Sequence, residues 1–173
     1  LVSIEDRGGL IHTLTYDPNG NLINIIDSFG QQLTFTHDAY GNFATLTDPA
    51  GGFYQFTFAS NGNLLNNTHL PHALTGITDE NGVRYATYTY DLLGRAIISE
   101  HAGGANRYAL SYNSDHNNTI VTDPLGSQYT RYFQTIQGID KSIRQSQPAG
   151  SGCGAAASTT TYDTQGNIAS ETD

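Results

Sequence analysis

Short runs of apolar and β-branched residues recur along the chain, and each run is bounded by a turn signal. The runs at residues 33–37, 53–58 and 85–90 are five or six residues long and rich in aromatic residues and threonine, which favours strands over helices. Similar runs lie at residues 22–26, 97–98 and 119–122. No apolar stripe of helical spacing and useful length is present. The pattern predicts an all-β protein.

One motif returns along the whole chain: an aromatic residue, an acidic turn, a glycine and an aliphatic residue. Its clearest copies are Tyr16–Leu22, Tyr90–Ala96 and Tyr162–Ile168. Its copies begin at seven marks, which are Tyr16, His37, Phe58, Tyr90, Tyr112, Phe133 and Tyr162. The steps from 16 to 37 and from 37 to 58 are each 21 residues. Such a period is typical of repeat proteins, in which each unit buries its apolar face against the next.

A second acidic turn precedes most marks by about ten residues. Asp48–Gly51 lies ten residues before Phe58, and Asp123–Gly126 lies ten before Phe133. Each unit of about 21 residues therefore has two turns and two short strands. We expect a continuous antiparallel β-meander, in which every strand pairs with its neighbours along the chain.

Aspartate and glycine define the predicted turn. The carboxylate can accept backbone N–H groups across the turn, and glycine adopts the positive φ that a tight hairpin requires. This structural role is assigned to Asp17, Gly20, Asp38, Gly41, Gly62, Asp91, Gly94, Asp163 and Gly166. Two copies are degenerate: the turn after Tyr112 has His116 and no glycine, and Gly138 comes one residue late.

Two steps between marks are longer than the others. The step from 58 to 90 is 32 residues, and the step from 133 to 162 is 29 residues. We place the surplus near residues 66–76 and 147–157, and we interpret the second stretch, which consists mainly of small residues, as a loop. Insertions at turns cost little, because loop-closure entropy grows slowly with length.

The amino-acid composition limits the kinds of molecule that the chain can bind. Seven basic residues oppose sixteen acidic ones, for a formal charge of −9, so the basic surface that nucleic-acid binding requires is not available. No apolar run reaches the length of a membrane span. Abundant Thr, Asn, Ser, Gln and Tyr with a single lysine suit a secreted or cell-surface protein. The chain starts within a strand arm and ends within a turn phase, so we expect an excerpt of a longer array that occupies residues 1–173.

The unit Tyr-Asp-x-x-Gly-Asn/Arg-aliphatic, with an Asp-Pro-x-Gly turn ten residues ahead, resembles the YD repeat of Rhs proteins. The resemblance spans essentially the whole chain. It implies a spiralling β-sheet that closes into a hollow shell, of which this chain would form a wall segment. Tyrosine is replaced at His37, Phe58 and Phe133, and aspartate at Ala59, Asn113 and Gln134. These departures put only local turn geometry in doubt.

The resemblance also implies a function. In bacterial Rhs polymorphic toxins and insecticidal toxin complexes the shell encloses a C-terminal toxin domain, and in teneurins a similar structure belongs to a cell-surface adhesion protein. We therefore expect a non-catalytic wall segment in an exported bacterial protein. Its partners would be the neighbouring repeats and the enclosed C-terminal toxin domain of the same parent chain, with no nucleic acid and no membrane span.

The residues that could cleave the chain, bind a metal or act as a nucleophile are all interpreted as structural. The Asp-Pro-x-Gly turns resemble a family autoproteolytic motif, but each lies in repeat phase ahead of another strand. The turn acids fit no calcium loop, and nothing in the sequence brings His69 and His72 together with further zinc ligands. Cys153 has no cysteine partner and no recognisable histidine partner motif. We expect no catalytic residue, metal or cofactor.

The alternative function is a surface-displayed module that binds carbohydrate or mediates adhesion. Aromatic rings stack on the apolar faces of sugars, and the candidate residues are Tyr16, Tyr90, Tyr112 and Tyr162. The competing interpretation is that these tyrosines form the packed row of the sheet. The sequence favours packing and leaves carbohydrate binding as the alternative.

Overall fold

The computed structural model describes residues 1–59, 70–150 and 154–173. These residues form fifteen strands and one short 3₁₀ turn, which confirms the all-β prediction. They divide into two compact units. The first unit holds residues 1–95 and 101–103, and the second holds residues 96–100 and 104–173.

The strands of the first unit pair antiparallel in chain order, each with the next. They are β1 (Ser3–Glu5), β2 (Ile11–Tyr16), β3 (Leu22–Ile26), β4 (Gln32–His37), β5 (Phe43–Thr47), β6 (Phe53–Phe58), β7 (Leu74–Thr78) and β8 (Arg84–Tyr90). The predicted antiparallel meander is confirmed in this unit, because every ladder joins strands that are neighbours in the sequence.

The second unit has the same arrangement, and its strands also pair antiparallel in chain order. Its strands are β9 (Ala96–His101, whose last residue belongs to the first unit), β10 (Tyr108–Tyr112), β11 (Asn118–Thr122), β12 (Gln128–Ile136), β13 (Ile139–Gln147), β14 (Ala156–Tyr162) and β15 (Ile168–Thr172). The 3₁₀ turn Ala102–Gly104 follows β9, and its first two residues belong to the first unit. The nine-residue strands β12 and β13 form the longest hairpin of this unit.

The expected insertions are shorter than the sequence suggested. Leu74 pairs with Phe58, so residues 74–76 belong to β7 rather than to a surplus segment. Ala156 pairs with Gln147, so both ends of the expected loop at 147–157 are strand. Alanine has little β-propensity of its own, and here the ladder with β13 overrides it. Residues 60–69 and 151–153 lie outside the described part of the chain.

The register of the first unit separates its side chains into two faces, because successive residues of a strand point to opposite sides. We call one the aromatic face; it carries Leu14, Tyr16, Leu22, Ile25, Leu33, Phe35, His37, Phe43, Leu46, Tyr54, Phe56, Phe58, Leu74, Ile77, Ala86, Tyr88 and Tyr90. We call the other the threonine face; it carries Thr13, Thr15, Asn24, Gln32, Thr34, Thr36, Thr45, Thr47, Gln55, Thr57, Gly76, Thr78, Arg84, Thr87 and Thr89.

Four hairpins share a β-bulge three residues after the turn glycine, namely β2–β3, β4–β5, β7–β8 and β14–β15. In β2–β3, Tyr16 faces Leu22 while Thr15 faces Asn24, so Ile23 is an extra residue. The same shift occurs in β4–β5 and β14–β15. Among the hairpins whose turn lies ahead of a mark, the β3–β4 and β5–β6 ladders run without a shift, whereas β7–β8 has one at Tyr85. A bulge increases the local twist of a strand pair, so we expect these four hairpins to twist more than β3–β4 and β5–β6.

Very few side chains are buried. Among the described residues, the only hydrophobic ones that are buried are Ala59, Ala86 and Val121, and Thr119 is the only buried polar one. None of the large side chains is fully buried. A protein of this length that formed a packed two-layer domain would bury many leucine, isoleucine and phenylalanine side chains. The packing within each unit is therefore lateral, from strand to strand, on a single sheet.

Candidate functional site

One aspartate organises each of nine turns in the described residues. Its carbonyl accepts the N–H of the glycine three residues later, and its Oδ1 accepts the N–H groups two and four residues later. At Asp17 these bonds come from Gly20 at 3.0 Å, Asn19 at 2.9 Å and Asn21 at 2.8 Å. The nine aspartates are Asp6, Asp17, Asp27, Asp38, Asp48, Asp79, Asp91, Asp123 and Asp163.

The glycine of each turn adopts a left-handed conformation. Gly20, Gly41, Gly94 and Gly166 have φ values of 86°, 79°, 79° and 82°. A residue with a side chain is strained there, because its Cβ approaches the backbone. The geometry at these positions is the one that the assigned turn role requires. Gly62, to which the same role was assigned, lies outside the described residues.

The two types of turn differ at the second carboxylate oxygen. After the marks, the residue that follows glycine donates its side chain to the aspartate Oδ2. Asn21 does so to Asp17 and Asn42 to Asp38, both at 2.9 Å. Asn167 reaches Asp163 at 3.3 Å, and Arg95 forms an ion pair with Asp91 at 2.7 Å. The turns ten residues ahead of the marks have Leu10, Gln31, Gly52, Val83 or Ser127 at this position. The Asn or Arg side chain of the repeat motif is therefore an additional hydrogen-bond donor to the turn carboxylate.

These bonds lower the pKa of three turn carboxyls. The pKa of Asp17 is lowered chiefly by the side-chain hydrogen bond from Asn21. At Asp91 desolvation raises the pKa, but the hydrogen bonds and charge of Arg95 outweigh it, so the pKa is lowered. At Asp163 the backbone hydrogen bond from Asn167 is the main cause of a lowered pKa. Hydrogen bonds to the charged form stabilise it, so the ionised carboxylate is the form that holds the turn.

The two degenerate copies make their turns in other ways. Asn113 replaces the aspartate and accepts the N–H of Asn117 at 3.1 Å, and His116 takes the left-handed position with φ of 57°. Asparagine supplies the same acceptor oxygen, which explains why the substitution is tolerated. In the other copy Gln137 and Gly138 have φ of 51° and 78°, the signature of a two-residue type I′ turn.

The tyrosine hydroxyls of the marks connect consecutive repeats. Each donates to a backbone carbonyl near the start of the preceding repeat's second strand. Tyr16 bonds Leu1 at 2.7 Å, Tyr90 bonds Leu74 at 2.8 Å, Tyr112 bonds Ala96 at 2.7 Å and Tyr162 bonds Ser142 at 2.9 Å. Leu1 and Ala96 occupy the aliphatic position that closes a repeat motif. The tyrosine of one copy therefore holds the end of the copy before it.

The same four tyrosines are the candidates for carbohydrate stacking. Tyr16 and Tyr90 lie in the first unit, and Tyr112 and Tyr162 lie in the second. Tyr90, Tyr112 and Tyr162 are half-buried, whereas Tyr16 is exposed. The ring of Tyr162 has the Lys141 ammonium 5.0 Å from its centroid. Their hydroxyls bind the chain itself, which is the geometry of a packed row.

Arg84 is a structural residue that the sequence did not identify. Its guanidinium donates to the Thr57 hydroxyl and the Thr75 carbonyl, both at 2.7 Å, and lies over Gly76. A Cβ at Gly76 would be 1.7 Å from the Arg84 Nη2 atom. Arg84 thus crosses β6, β7 and β8 on the threonine face, and Gly76 provides the space. A glycine inside a strand can signal such a close approach, but it does not say which side chain makes it.

The described residues contain no group of three or more His, Cys, Asp or Glu side chains that could hold a metal ion. His72 instead pairs its Nδ1 with the Asn42 Oδ1 at 2.6 Å. His69 and Cys153 lie outside the described residues. In the same part of the chain, no helix has the length and apolarity of a membrane span.

The chain resembles known proteins in its sequence and in its fold. Residues 16–52 match the sequence model of the RHS repeat family, which confirms the resemblance over that segment. No curated protein matches the chain in sequence.

Among solved structures, a Photorhabdus luminescens Tc holotoxin pore matches 95% of the chain with 14% identity and a TM-score of 0.61. A crystal structure of TcdB2–TccC3 without its hypervariable C-terminal region matches 96% of the chain, also with 14% identity, and a TM-score of 0.62. At this identity the likeness shows the fold alone. The chain covers 9% of the length of each of these structures.

Proposed function

We propose that this chain is a structural, non-catalytic wall segment of an Rhs-type shell that encloses a C-terminal toxin domain in an exported bacterial protein. Residues 1–173 would all belong to one array of YD repeats. The mechanism is physical: a continuous sheet separates the enclosed polypeptide from the solvent and from proteases.

The main observation behind this proposal is that the described strands form antiparallel meanders in which no large side chain is fully buried. In both units the strands pair in chain order. A sheet of this kind uses its residues to cover area rather than to enclose a binding cleft. Fold alone does not specify function, but a single-layer sheet within each unit suits a partition between two compartments.

The comparisons support the proposal at a coarser level. The fold is that of a segment of Tc holotoxin components, and one matched structure is described as lacking a hypervariable C-terminal region. The chain is a small part of those proteins in length. We transfer to it the structural role of its fold, and we propose that its parent likewise carries a variable C-terminal segment, which the shell would hold.

The turn residues have a structural role in this proposal. A wall built of short hairpins needs the same turn at every repeat. In nine described turns one aspartate provides it, because its carboxylate accepts two backbone N–H groups and its backbone carbonyl accepts a third. Asp17, Asp38, Asp91 and Asp163, with their glycines, therefore act in folding and register. The hydroxyls of the tyrosine marks would then fix each repeat to the one before.

Electron cryo-microscopy of the full-length parent protein tests the proposal. The expected map shows a closed shell in which these strands form part of the wall, with additional density inside. The matched control is the parent without its C-terminal segment, whose map should show the same wall without the internal density. A map in which the strands form an open sheet, with solvent on both faces, would contradict the proposal.

A further inference from the structure

We infer that the aromatic face of the first unit lines the enclosed space and contacts the enclosed polypeptide, and that the threonine face is on the outside. The inference rests on the proposed wall function, because only a partition has an inner and an outer face. It assigns to each strand of β2–β8 the side that meets the cargo.

The aromatic face is largely apolar: among the paired residues of the first unit, its polar groups are the rings of His12 and His37 and the tyrosine hydroxyls. No aspartate, glutamate, lysine or arginine lies on it. Its rings pack laterally: Phe43 lies 5.4 Å from Phe35 and 4.8 Å from His37, measured between ring centroids. Even so, Phe43 is 43% exposed, and the other side chains of the row are mostly half-buried. This leaves a contiguous apolar surface that no other described part of the first unit covers.

The threonine face is suited to water. Its hydroxyls bond across the strands, as between Thr36 and Thr45 at 2.6 Å, and its charged side chains among the paired residues of the first unit are Glu5 and Arg84. Hydroxyl groups retain further hydrogen-bonding capacity toward solvent. The apolar residues on this side, Ile11, Ile26 and Phe53, all lie beside the turns at the strand ends. The body of the face is polar.

Contiguous apolar surface on the outside of a soluble protein is an interaction or aggregation surface. Turned inward, the same surface is shielded from other shells and can be covered by apolar side chains of the enclosed chain. Contacts of this kind depend on apolar area rather than on specific charges. They suit a wall whose cargo varies in sequence, since no complementary charge pattern has to be kept.

Single cysteines on the two faces of one strand test the assignment in the full-length parent protein. Leu46→Cys places a thiol on the aromatic face and Thr47→Cys places one on the threonine face, at adjacent half-buried positions of β5. Both are made in a background that carries Cys153→Ser and no other reactive cysteine. The readout is the fraction modified by a polyethylene-glycol maleimide under native conditions and after denaturation. Leu33→Cys and Thr34→Cys in β4 form a second pair.

We expect rapid native modification of Cys at 47 and 34, and loss of modification at 46 and 33 until the protein is denatured. Protection of 47 and 34 instead would invert the assignment while leaving the enclosing wall intact. Modification of all four positions would show that neither face is enclosed, and it would overturn the proposed function as well. Protection of all four would mean that another layer covers the threonine face, which also contradicts the assignment.

Discussion

The hydroxyl of Tyr90 donates a hydrogen bond to the backbone carbonyl of Leu74 at 2.8 Å. The two residues lie on neighbouring strands, β8 and β7, and the bond joins the mark of one repeat to the end of the preceding one. Tyr16, Tyr112 and Tyr162 make equivalent bonds. The tyrosine of the motif therefore contributes a specific polar contact in addition to its ring, and this contact distinguishes it from phenylalanine.

Tyr90→Phe should destabilise the protein by about 1 kcal/mol, the net value of one hydrogen bond, because the ring is kept and the hydroxyl is lost. Desolvation by burial raises the pKa of Tyr90, in agreement with a hydroxyl that is shielded from water. The measurement is thermal unfolding together with amide hydrogen exchange of β7 and β8. Tyr108→Phe, at an exposed position, is the control. Equal effects of the two substitutions would contradict a role for the Tyr90 hydroxyl.

His37→Tyr should stabilise the protein by a similar amount, about 1 kcal/mol. His37 stands at a mark, and within the described residues its buried Nδ1 has no hydrogen-bond partner. Tyr16 reaches the carbonyl of Leu1, fifteen residues earlier, and the same separation from position 37 leads to Leu22. A tyrosine there would supply the missing repeat-to-repeat bond. A melting temperature that is unchanged or lower would show that the bond cannot be transferred.

Gly94→Val should destabilise its hairpin by roughly 1–3 kcal/mol, because a β-branched residue is strained at positive φ. Gly94 has φ of 79°, and an added Cβ would come within 3.1 Å of the Leu70 side chain. Gly94→Asn should cost less, since asparagine tolerates the left-handed region. Thermal unfolding of both variants decides the point. If valine were as stable as glycine, the turn assignment at Asp91–Gly94 would be wrong.

Acid should destabilise the turns. The folded-state pKa values of Asp17, Asp91 and Asp163 lie below the ordinary value of 3.8, so an unfolded chain binds more protons than the folded one as the solution is acidified. Their stabilisation is complete well above that value and is lost as the pH falls through the lowered pKa. Melting temperatures measured from neutral pH to about pH 2 should decline most steeply in this acidic window.

The control for this acid effect is a variant in which the three aspartates are replaced by asparagine. Asn113 already performs the turn role in the native chain, so the hairpins should still form. The variant should show a smaller loss of melting temperature in acid, because its turns no longer contain these titrating groups. A pH profile as steep as that of the native protein would assign the acid sensitivity to other residues.

The strands and turns could be predicted from the sequence because their causes are local. The aromatic and threonine-rich runs at 33–37 and 53–58 became β4 and β6, and the spacing of aspartate and glycine located the hairpins between them. Each decision needed fewer than about ten neighbouring residues and a known turn type. The alternation of residue types along each strand also predicts two different faces. Which residues of neighbouring strands share a face is known only once the register of the strands is known.

The contacts between repeats could not be predicted, because they depend on the exact register between paired strands. The bond from Tyr90 to Leu74 and the position of Arg84 over Gly76 both follow from pairings that include bulges at Thr75 and Tyr85. A bulge shifts which residues meet, and no residue type announces it. The sequence marked Tyr90 as one of an aromatic row without indicating what its hydroxyl binds.

Limited proteolysis of the full-length parent protein tests most directly the claim that these strands form an enclosing wall. The fate of the C-terminal segment is followed in the native protein and after denaturation. If the wall encloses it, the segment should stay intact in the native protein and be degraded once the shell is unfolded. Immediate cleavage of the segment in the native protein, while the repeat region remains intact, would contradict enclosure.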